Sequence, residues 1–137
     1  MLIKGWANKP NLSDHKYILM PFSFRDDIPR FLKHQRLYKN HQKSSGIVGK
    51  ILKLEARPEG LWVECEIFCP ITKAQIMSGD LTAFSVDVTY VDVRESDGVK
   101  YAHKVKFFEL SVCRGCRAPG SIIEEVVLSP RTETVRA

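Results

Sequence analysis

The stretch that organises the chain is Leu81-Thr82-Ala83-Phe84-Ser85-Val86-Asp87-Val88-Thr89-Tyr90. Read with the two-residue period of a β-strand, alternate positions from Thr82 to Tyr90 form a mainly apolar and aromatic face that suits a core. The intervening positions are smaller and more polar, and Ser85 is among them. The pattern predicts a strand that holds the Ser85 hydroxyl on its outer face. A serine there is usually an ordinary solvated residue, so it becomes a candidate functional group only if a base and an orienting group lie beside it.

The composition is that of one soluble domain with one core. The chain has 137 residues, of which 44% are hydrophobic and 27% are charged. We find no apolar run long enough to cross a bilayer and no signal peptide, and we therefore expect an intracellular protein with no membrane partner. The formal charge is +5, but lysine and arginine are scattered along the chain. This distribution favours solubility and weak electrostatic steering over a nucleic-acid footprint.

Four cysteines raise the possibility of a zinc site. Cys113 and Cys116 have ligand spacing, but Cys65 and Cys69 lie in a segment that is typical of extended chain. At a strand rise of ~3.3 Å per residue, thiols four residues apart are separated by ~13 Å, which is too far for one tetrahedral ion. We therefore interpret the cysteines as buried or half-buried reduced thiols, and we expect no metal and no cofactor.

Strand patterns dominate the chain. We predict strands over residues 2–7, 17–20, 47–56, 61–68, 81–94, 99–113 and 122–128, and helices over residues 26–37 and 70–78. Turn sequences at 57–60 and 95–98 join neighbouring strands as hairpins. These patterns predict a mainly β (α+β) domain over residues 1–128, built as an antiparallel β-barrel or strongly curved sheet with peripheral helices, and a loose polar tail over residues 129–137.

A base for Ser85 must come from one of four histidines, because a free hydroxyl is a poor nucleophile at neutral pH. His15 lies in a turn-like segment and His34 lies among charged residues of the predicted helix. His103 follows a hairpin turn, near an exposed strand end. His41 lies in a loop that enters a strand, from which a side chain can reach across a sheet. His41 is therefore the best candidate.

Glu109 is the candidate orienting group. Alternate positions from Phe108 to Val112 form an apolar strand face, so Glu109 projects from the opposite face. A carboxylate in such surroundings is costly unless it has a partner, and an imidazole N–H would serve. Hairpin pairing about Asp97 places Ser85 opposite a residue near Glu109, with both on the outer face. The alternative is a strand glutamate that pairs with a surface lysine, and the sequence pattern alone leaves both possibilities open.

Short motifs follow one another over most of the chain, and together they are more specific than any one alone. They are Gly5-Trp6-Ala7, Asn40-His41, Gly46-Ile47-Val48-Gly49, Glu59-Gly60-Leu61-Trp62-Val63, residues 74–79, Ala83-Phe84-Ser85-Val86 and Phe108-Glu109-Leu110-Ser111-Val112. In order and spacing they resemble the prohead maturation proteases of tailed bacteriophages, which are distant relatives of the herpesvirus assemblins.

The resemblance implies a serine endopeptidase on an assemblin-type β-barrel. By position, His41 is the general base, Ser85 the nucleophile and Glu109 the group that orients the base. The assemblins carry a second histidine in place of the carboxylate. The resemblance also implies that the backbone N–H of Arg117 contributes to the oxyanion hole. Ala118 stands where the assemblins have a further arginine, and this changes the detail of that loop.

The resemblance further implies the substrates and the setting. They are the scaffold protein, the major capsid protein and the protease itself, inside the immature capsid in the host cytoplasm, with the protease as a homo-oligomer. Two other functions stay open: a catalytically inactive capsid-assembly domain of the same fold, and a basic β-barrel that binds nucleic acid. The latter predicts exposed strand aromatics, whereas Phe84, Tyr90 and Phe108 fall on the predicted core face.

Overall fold

The computed structural model describes residues 1–10, 17–115 and 120–128. Eight strands and three short helices occur in these ranges, so the prediction of a mainly β domain is confirmed. The elements are β1 (Leu2–Asn8), β2 (Ile18–Leu19), α1 (Pro21–Arg25), α2 (Ile28–Leu32), β3 (Arg36–Lys39), β4 (Gly49–Arg57), β5 (Gly60–Ile67), α3 (Pro70–Met77), β6 (Ala83–Ser96), β7 (Val99–Cys113) and β8 (Ile123–Val127), with a 3₁₀ turn at Lys43–Ser45.

The strands form one mixed sheet in the order β2-β7-β3-β4-β5-β1-β8, and β6 pairs with β7. β2 and β3 both run parallel to β7, whereas the other ladders are antiparallel. An isolated bridge between Ala83 and Ile122 brings the chain before β8 back to β6. The prediction of a purely antiparallel sheet is therefore wrong. The ladders of the described strands also do not close, and a complete barrel is not confirmed.

The two predicted hairpins are present. Arg57 pairs with Gly60 at the β4–β5 turn, and Ser96 pairs with Val99 at the β6–β7 turn. The helix after β5 ends as its sequence indicates, because Gly79 takes a left-handed conformation with φ of 83°.

The helix predicted over residues 26–37 is too long. α2 ends at Leu32, and Gln35 takes a positive φ of 51°. The chain then enters β3, where Leu37 is fully buried and pairs with Gly49. Burial of Leu37 between two strands outweighs the helical pattern, which is how tertiary packing often overrides local propensity.

Both faces of β6 are covered at its start. Leu81, Ala83 and Ser85 are buried, although they were predicted to lie on an outer face. The segment before β8 pairs with the edge of β6 here, since the Phe84 N–H donates to the carbonyl of Ser121 (3.1 Å). From residue 87 onward, exposed and half-buried positions alternate as predicted.

Cys65 is buried, and Cys69 and Cys113 are half-buried; Cys116 lies outside the described residues. Within residues 1–10, 17–115 and 120–128, no three histidine, cysteine or acidic side chains come together as a group that could hold a metal ion. None of the helices in these ranges has the length and apolar character needed to cross a membrane.

Candidate active site

Ser85 lies near the start of β6, where the backbone is fixed on both sides. It pairs with Ser111 of β7, and its neighbour Phe84 donates to the chain before β8. The Ser85 residue is only 7% exposed. The residue is therefore largely shielded from solvent and does not lie on an open surface.

His41 reaches the Ser85 hydroxyl from the loop after β3. Asn40 and His41 both take left-handed conformations, with φ of 50° and 57°. Such conformations are unfavourable for residues with side chains, and asparagine tolerates them best. The turn is held by the Asn40 N–H, which donates to the carbonyl of Val112 (3.0 Å), and by the Asn40 Oδ1, which accepts from the N–H of Arg114 (3.2 Å). Strained backbone that is held in this way is common at functional sites.

The three candidate residues form one line of hydrogen bonds. His41 Nε2 lies 2.8 Å from Ser85 Oγ, and His41 Nδ1 lies 2.8 Å from Glu109 Oε1. A carboxylate can only accept, so Nδ1 of the neutral ring carries the proton and Nε2 accepts from the serine hydroxyl. The structure thus brings Ser85, His41 and Glu109 together, in the tautomer that leaves Nε2 free to take a proton.

Glu109 is 3% exposed, and two donors satisfy its Oε1 atom. The second donor is the hydroxyl of Ser111, at 2.6 Å. The same hydroxyl accepts from the backbone N–H of His41 (3.0 Å), so Ser111 ties the histidine loop to the carboxylate. Sequence reasoning did not assign a role to Ser111. The signal was its place two residues after Glu109, on the same face of the strand.

The strand register agrees with the expectation that Ser85 lies opposite a residue near Glu109. Ser85 faces Ser111, and Glu109 faces Asp87. Ser85 and Glu109 are therefore diagonal neighbours on the same side of the ladder. His41 spans the space between them.

A β-bulge at Phe108 aims the Glu109 side chain. Asp87 pairs with Glu109 and Val88 pairs with Phe107, which leaves Phe108 without a partner on β6. Phe108 is consequently 58% exposed, and its predicted place on the core face is wrong. Phe107 takes that place and stacks on the aromatic rings of α1 and α2.

Side chains of residues 23–30 form hydrogen bonds with the backbone of β7, between the positions where β2 and β3 pair with it. The Asp27 carboxylate accepts from the Phe107 N–H (2.6 Å), and the Arg30 guanidinium donates to the Phe107 carbonyl (2.6 Å). Further along, the Ser23 hydroxyl donates to the carbonyl of Ala102. Desolvation by itself raises the pKa of Asp27, but hydrogen bonds from Arg30 and Phe107 outweigh it and hold the pKa below its ordinary value of 3.8. These hydrogen bonds therefore fix the backbone of Phe107, two residues before Glu109.

Neither His34 nor His103, the other two histidines that the structure describes, forms a hydrogen bond with Ser85. His34 is exposed, and His103 lies against the ring of Phe22. His15 and Arg117 lie outside the described residues, so the predicted oxyanion-hole donor has no structural description.

The fold resembles that of a viral protease of known structure. A crystal structure of the KSHV protease, in complex with a hexapeptide phosphonate inhibitor, matches this chain with a TM-score of 0.58 and 16% sequence identity. The match covers 89% of this chain and 63% of the KSHV chain, so this chain spans less than two thirds of that protein's length. No known protein family and no curated protein matches the chain by sequence. At this identity the match shows a shared fold.

Proposed function

We propose that this chain is a serine endopeptidase in which Ser85 is the nucleophile, His41 the general base and Glu109 the group that orients the base. One observation carries the proposal: an unbroken hydrogen-bond line runs from Glu109 Oε1 through the His41 ring to Ser85 Oγ, with both distances at 2.8 Å. This geometry is the one that activates a serine hydroxyl for attack. The likeness of fold to a herpesvirus protease supports it.

The reaction follows from these contacts. His41 Nε2 takes the hydroxyl proton as Ser85 Oγ forms a bond to the carbonyl carbon of the peptide. The imidazolium then gives this proton to the leaving amine, and the C–N bond breaks to leave an acyl-enzyme. Water then gives a proton to the same nitrogen as its oxygen forms a bond to the ester carbon. The bond between that carbon and Ser85 Oγ breaks, Oγ takes the proton back from His41, and the carboxylic acid product leaves. Glu109 keeps the ring oriented throughout and stabilises its charged form.

The oxyanion of the tetrahedral intermediate needs its own donors. By the resemblance to the assemblins, the backbone N–H of Arg117 supplies one of them. Such a donor is typically worth roughly 3–4 kcal/mol of transition-state stabilisation. This assignment rests on the sequence motif alone.

The candidate site contains energetically unfavourable features that a purely structural domain would not require. Glu109 is buried in the sheet, and two consecutive residues of the histidine loop take left-handed conformations. Burying a carboxylate is unfavourable even when it is paired, and apolar residues of similar size often stabilise a fold as well or better. These costs favour the endopeptidase over an inactive assembly domain of the same fold.

The setting that we propose comes from the sequence resemblance to phage prohead proteases. The substrates are the scaffold protein, the major capsid protein and the protease itself, and cleavage takes place inside the immature capsid of a tailed phage. We further propose that the protease works there as a homo-oligomer, without a membrane or a specific nucleic acid as partner.

Coexpression tests the proposal directly. The chain, either wild type or Ser85→Ala, is produced with the capsid and scaffold proteins, and the intact masses of all partners are measured. We expect truncated capsid and scaffold proteins only with the wild-type serine. Identical masses with and without Ser85, in assembled particles, would contradict peptidase activity and favour the assembly domain. Salt-dependent binding of single-stranded nucleic acid, with no cleavage, would instead favour the nucleic-acid-binding barrel.

A further inference from the structure

A pocket of about 100 Å³ is lined in part by Glu109, and its lining includes neither Ser85 nor His41. Since a single water molecule needs only about 10–15 Å³ of such space, the pocket has room for a carboxylate and the methylene next to it. The walls come from α2, β3, the 3₁₀ turn after His41 and the bulge of β7. The side chains that matter here are Arg30, His34, Arg36, Tyr38, Lys43 and Phe108.

Two cations and a hydroxyl at the pocket have no carboxylate or hydrogen-bond partner in the part of the chain that the structure describes. Arg30 is engaged by Asp27, with distances of 2.7 Å. By contrast, neither Arg36 nor Lys43 forms an ion pair with a carboxylate in the described ranges, and the Tyr38 hydroxyl has no hydrogen-bond partner among the same residues. Two cations and a hydroxyl thus line a small space without a carboxylate or hydrogen-bond partner among the described residues.

The carboxylate that lines this pocket does not neutralise these cations. Glu109 Oε1 accepts from His41 and from Ser111, and both bonds belong to the candidate active site. The charge of Glu109 lowers the positive potential of the pocket, but Glu109 forms no ion pair with Arg36 or Lys43. Arg36 and Lys43 are exposed to solvent, and a second negative group that displaces this solvent would form charge-assisted hydrogen bonds with them.

Phe108 gives the pocket one apolar wall. Its ring is held outward by the bulge, and the Lys43 ammonium lies 4.0 Å from the ring centroid. This cation–π contact keeps the ammonium at the pocket instead of in bulk water. A ring beside two cations suits a group that has a short aliphatic stem and an anionic end.

We propose that this pocket is a substrate subsite that binds an aspartate or glutamate side chain of the cleaved polypeptide. The inference rests on the endopeptidase function proposed above and adds the class of substrate. Because the pocket borders Glu109 and not Ser85, the acidic residue lies a short distance along the substrate from the bond that is cleaved. A single small pocket also suits one side chain better than a nucleic-acid strand, which needs a groove that follows its backbone.

The test begins with a peptide library made by digesting a bacterial proteome with trypsin. The library is incubated with the wild-type chain or with Ser85→Ala, and the new peptide ends are identified by mass spectrometry. We expect cleavages that depend on Ser85 and that share an acidic residue at one fixed position near the cut. The best-cleaved sequence is then synthesised with glutamate at that position and, as its neutral match, with glutamine. We expect the wild type to prefer the glutamate peptide by about tenfold in kcat/KM, since a charge-assisted hydrogen bond has this strength.

The double variant Arg36→Gln/Lys43→Gln removes the two unpaired cations. We expect its glutamate-to-glutamine preference to fall below about twofold. The matched control, Arg94→Gln/Lys100→Gln, removes the same charges from the exposed far end of the β6–β7 hairpin and should keep the full preference.

The possible failures are distinct. Cleavage that depends on Ser85 but shows no acidic preference, or a preference that survives the double variant, overturns the subsite and leaves the peptidase function intact. If no cleavage depends on Ser85, the peptidase function fails, and the substrate subsite fails with it.

Discussion

Phe107 and Glu109 lie on opposite faces of β7, although a single residue separates them. Their partners on β6, Val88 and Asp87, are consecutive and therefore face opposite ways. The intervening Phe108 is the extra residue of a bulge. Without it, the ring that packs into the core and the carboxylate that meets the histidine would share one face. The bulge therefore lets one strand serve both the core and the candidate site.

Asp27 holds the bulge from outside the strand, and Asp27→Asn should destabilise the protein in a pH-dependent way. Its folded-state pKa lies below the ordinary value, because hydrogen bonds from Arg30 and Phe107 outweigh desolvation. The ionised carboxylate therefore stabilises the fold above about pH 4, and this stability is lost as the pH falls through the lowered pKa. We expect a loss of roughly 1–3 kcal/mol in the free energy of unfolding near pH 7.

Urea unfolding at pH 7, 5 and 3 measures this effect. The difference between wild type and Asp27→Asn should be largest near neutrality and should shrink below about pH 4. Asp26→Asn is a suitable control, since its side chain is 69% exposed and its ion pairs are long. A difference that stays constant from pH 7 to pH 3 would show that the charge of Asp27 is not what stabilises the bulge.

Glu109→Gln tests the role of the buried carboxylate with almost no change in shape. A glutamine amide can donate to His41 Nδ1, and the ring would then carry its proton on Nε2, where it cannot take one from Ser85. We expect kcat to fall roughly 10³–10⁴-fold, as in other serine peptidases whose third residue is made neutral. Hydrolysis of a peptide and labelling of Ser85 by a fluorophosphonate both report the loss.

The control for this substitution is Glu66→Gln, because Glu66 is exposed on β5. This variant should react with the fluorophosphonate and hydrolyse the peptide at the wild-type rates. If Glu109→Gln stays within about tenfold of the wild type in kcat while its folding is normal, Glu109 does not orient the base.

Local patterns were enough to predict much of this fold. Turn chemistry at residues 57–60 and 95–98 predicted both hairpins, because such turns depend on a few adjacent residues. The same hairpin logic placed Ser85 and Glu109 on one side of the sheet. Ser85 pairs with Ser111, two residues from Glu109, so the observed register keeps both side chains on that side.

Other features depend on contacts that local patterns do not show. The strand at Arg36–Lys39 forms because Leu37 is buried between β4 and β7, although the preceding residues have a helical pattern. The bulge at Phe108 depends on Asp27 and Arg30, about 80 residues earlier in the chain. Ser111 was missed because its function needs the histidine loop, which its own strand does not reveal.

Gly5→Ala should separate β8 from β1. A Cβ atom at Gly5 would lie 2.1 Å from the carbonyl oxygen of Ile122, which also accepts from the Trp6 N–H. Backbone must move, and overpacking of this kind costs roughly 1–3 kcal/mol. Since the neighbouring Ser121 carbonyl accepts from the N–H of Phe84, we expect slower fluorophosphonate labelling of Ser85 as well as a lower Tm. A Tm within about 1 °C of the wild type would contradict the close approach.

Ser111→Ala should slow catalysis more than it affects substrate binding. The Ser111 hydroxyl donates to Glu109 Oε1 (2.6 Å) and accepts from the His41 N–H (3.0 Å), so alanine removes both bonds at once. We expect kcat to fall about tenfold with KM nearly unchanged, because the base loses its fixed orientation. Ser111→Thr restores the hydroxyl and should recover most of kcat, whereas Ser96→Ala, at the exposed hairpin end, should change nothing. A lower Tm for Ser111→Ala with an unchanged kcat would mean that Ser111 supports the fold and does not position the base.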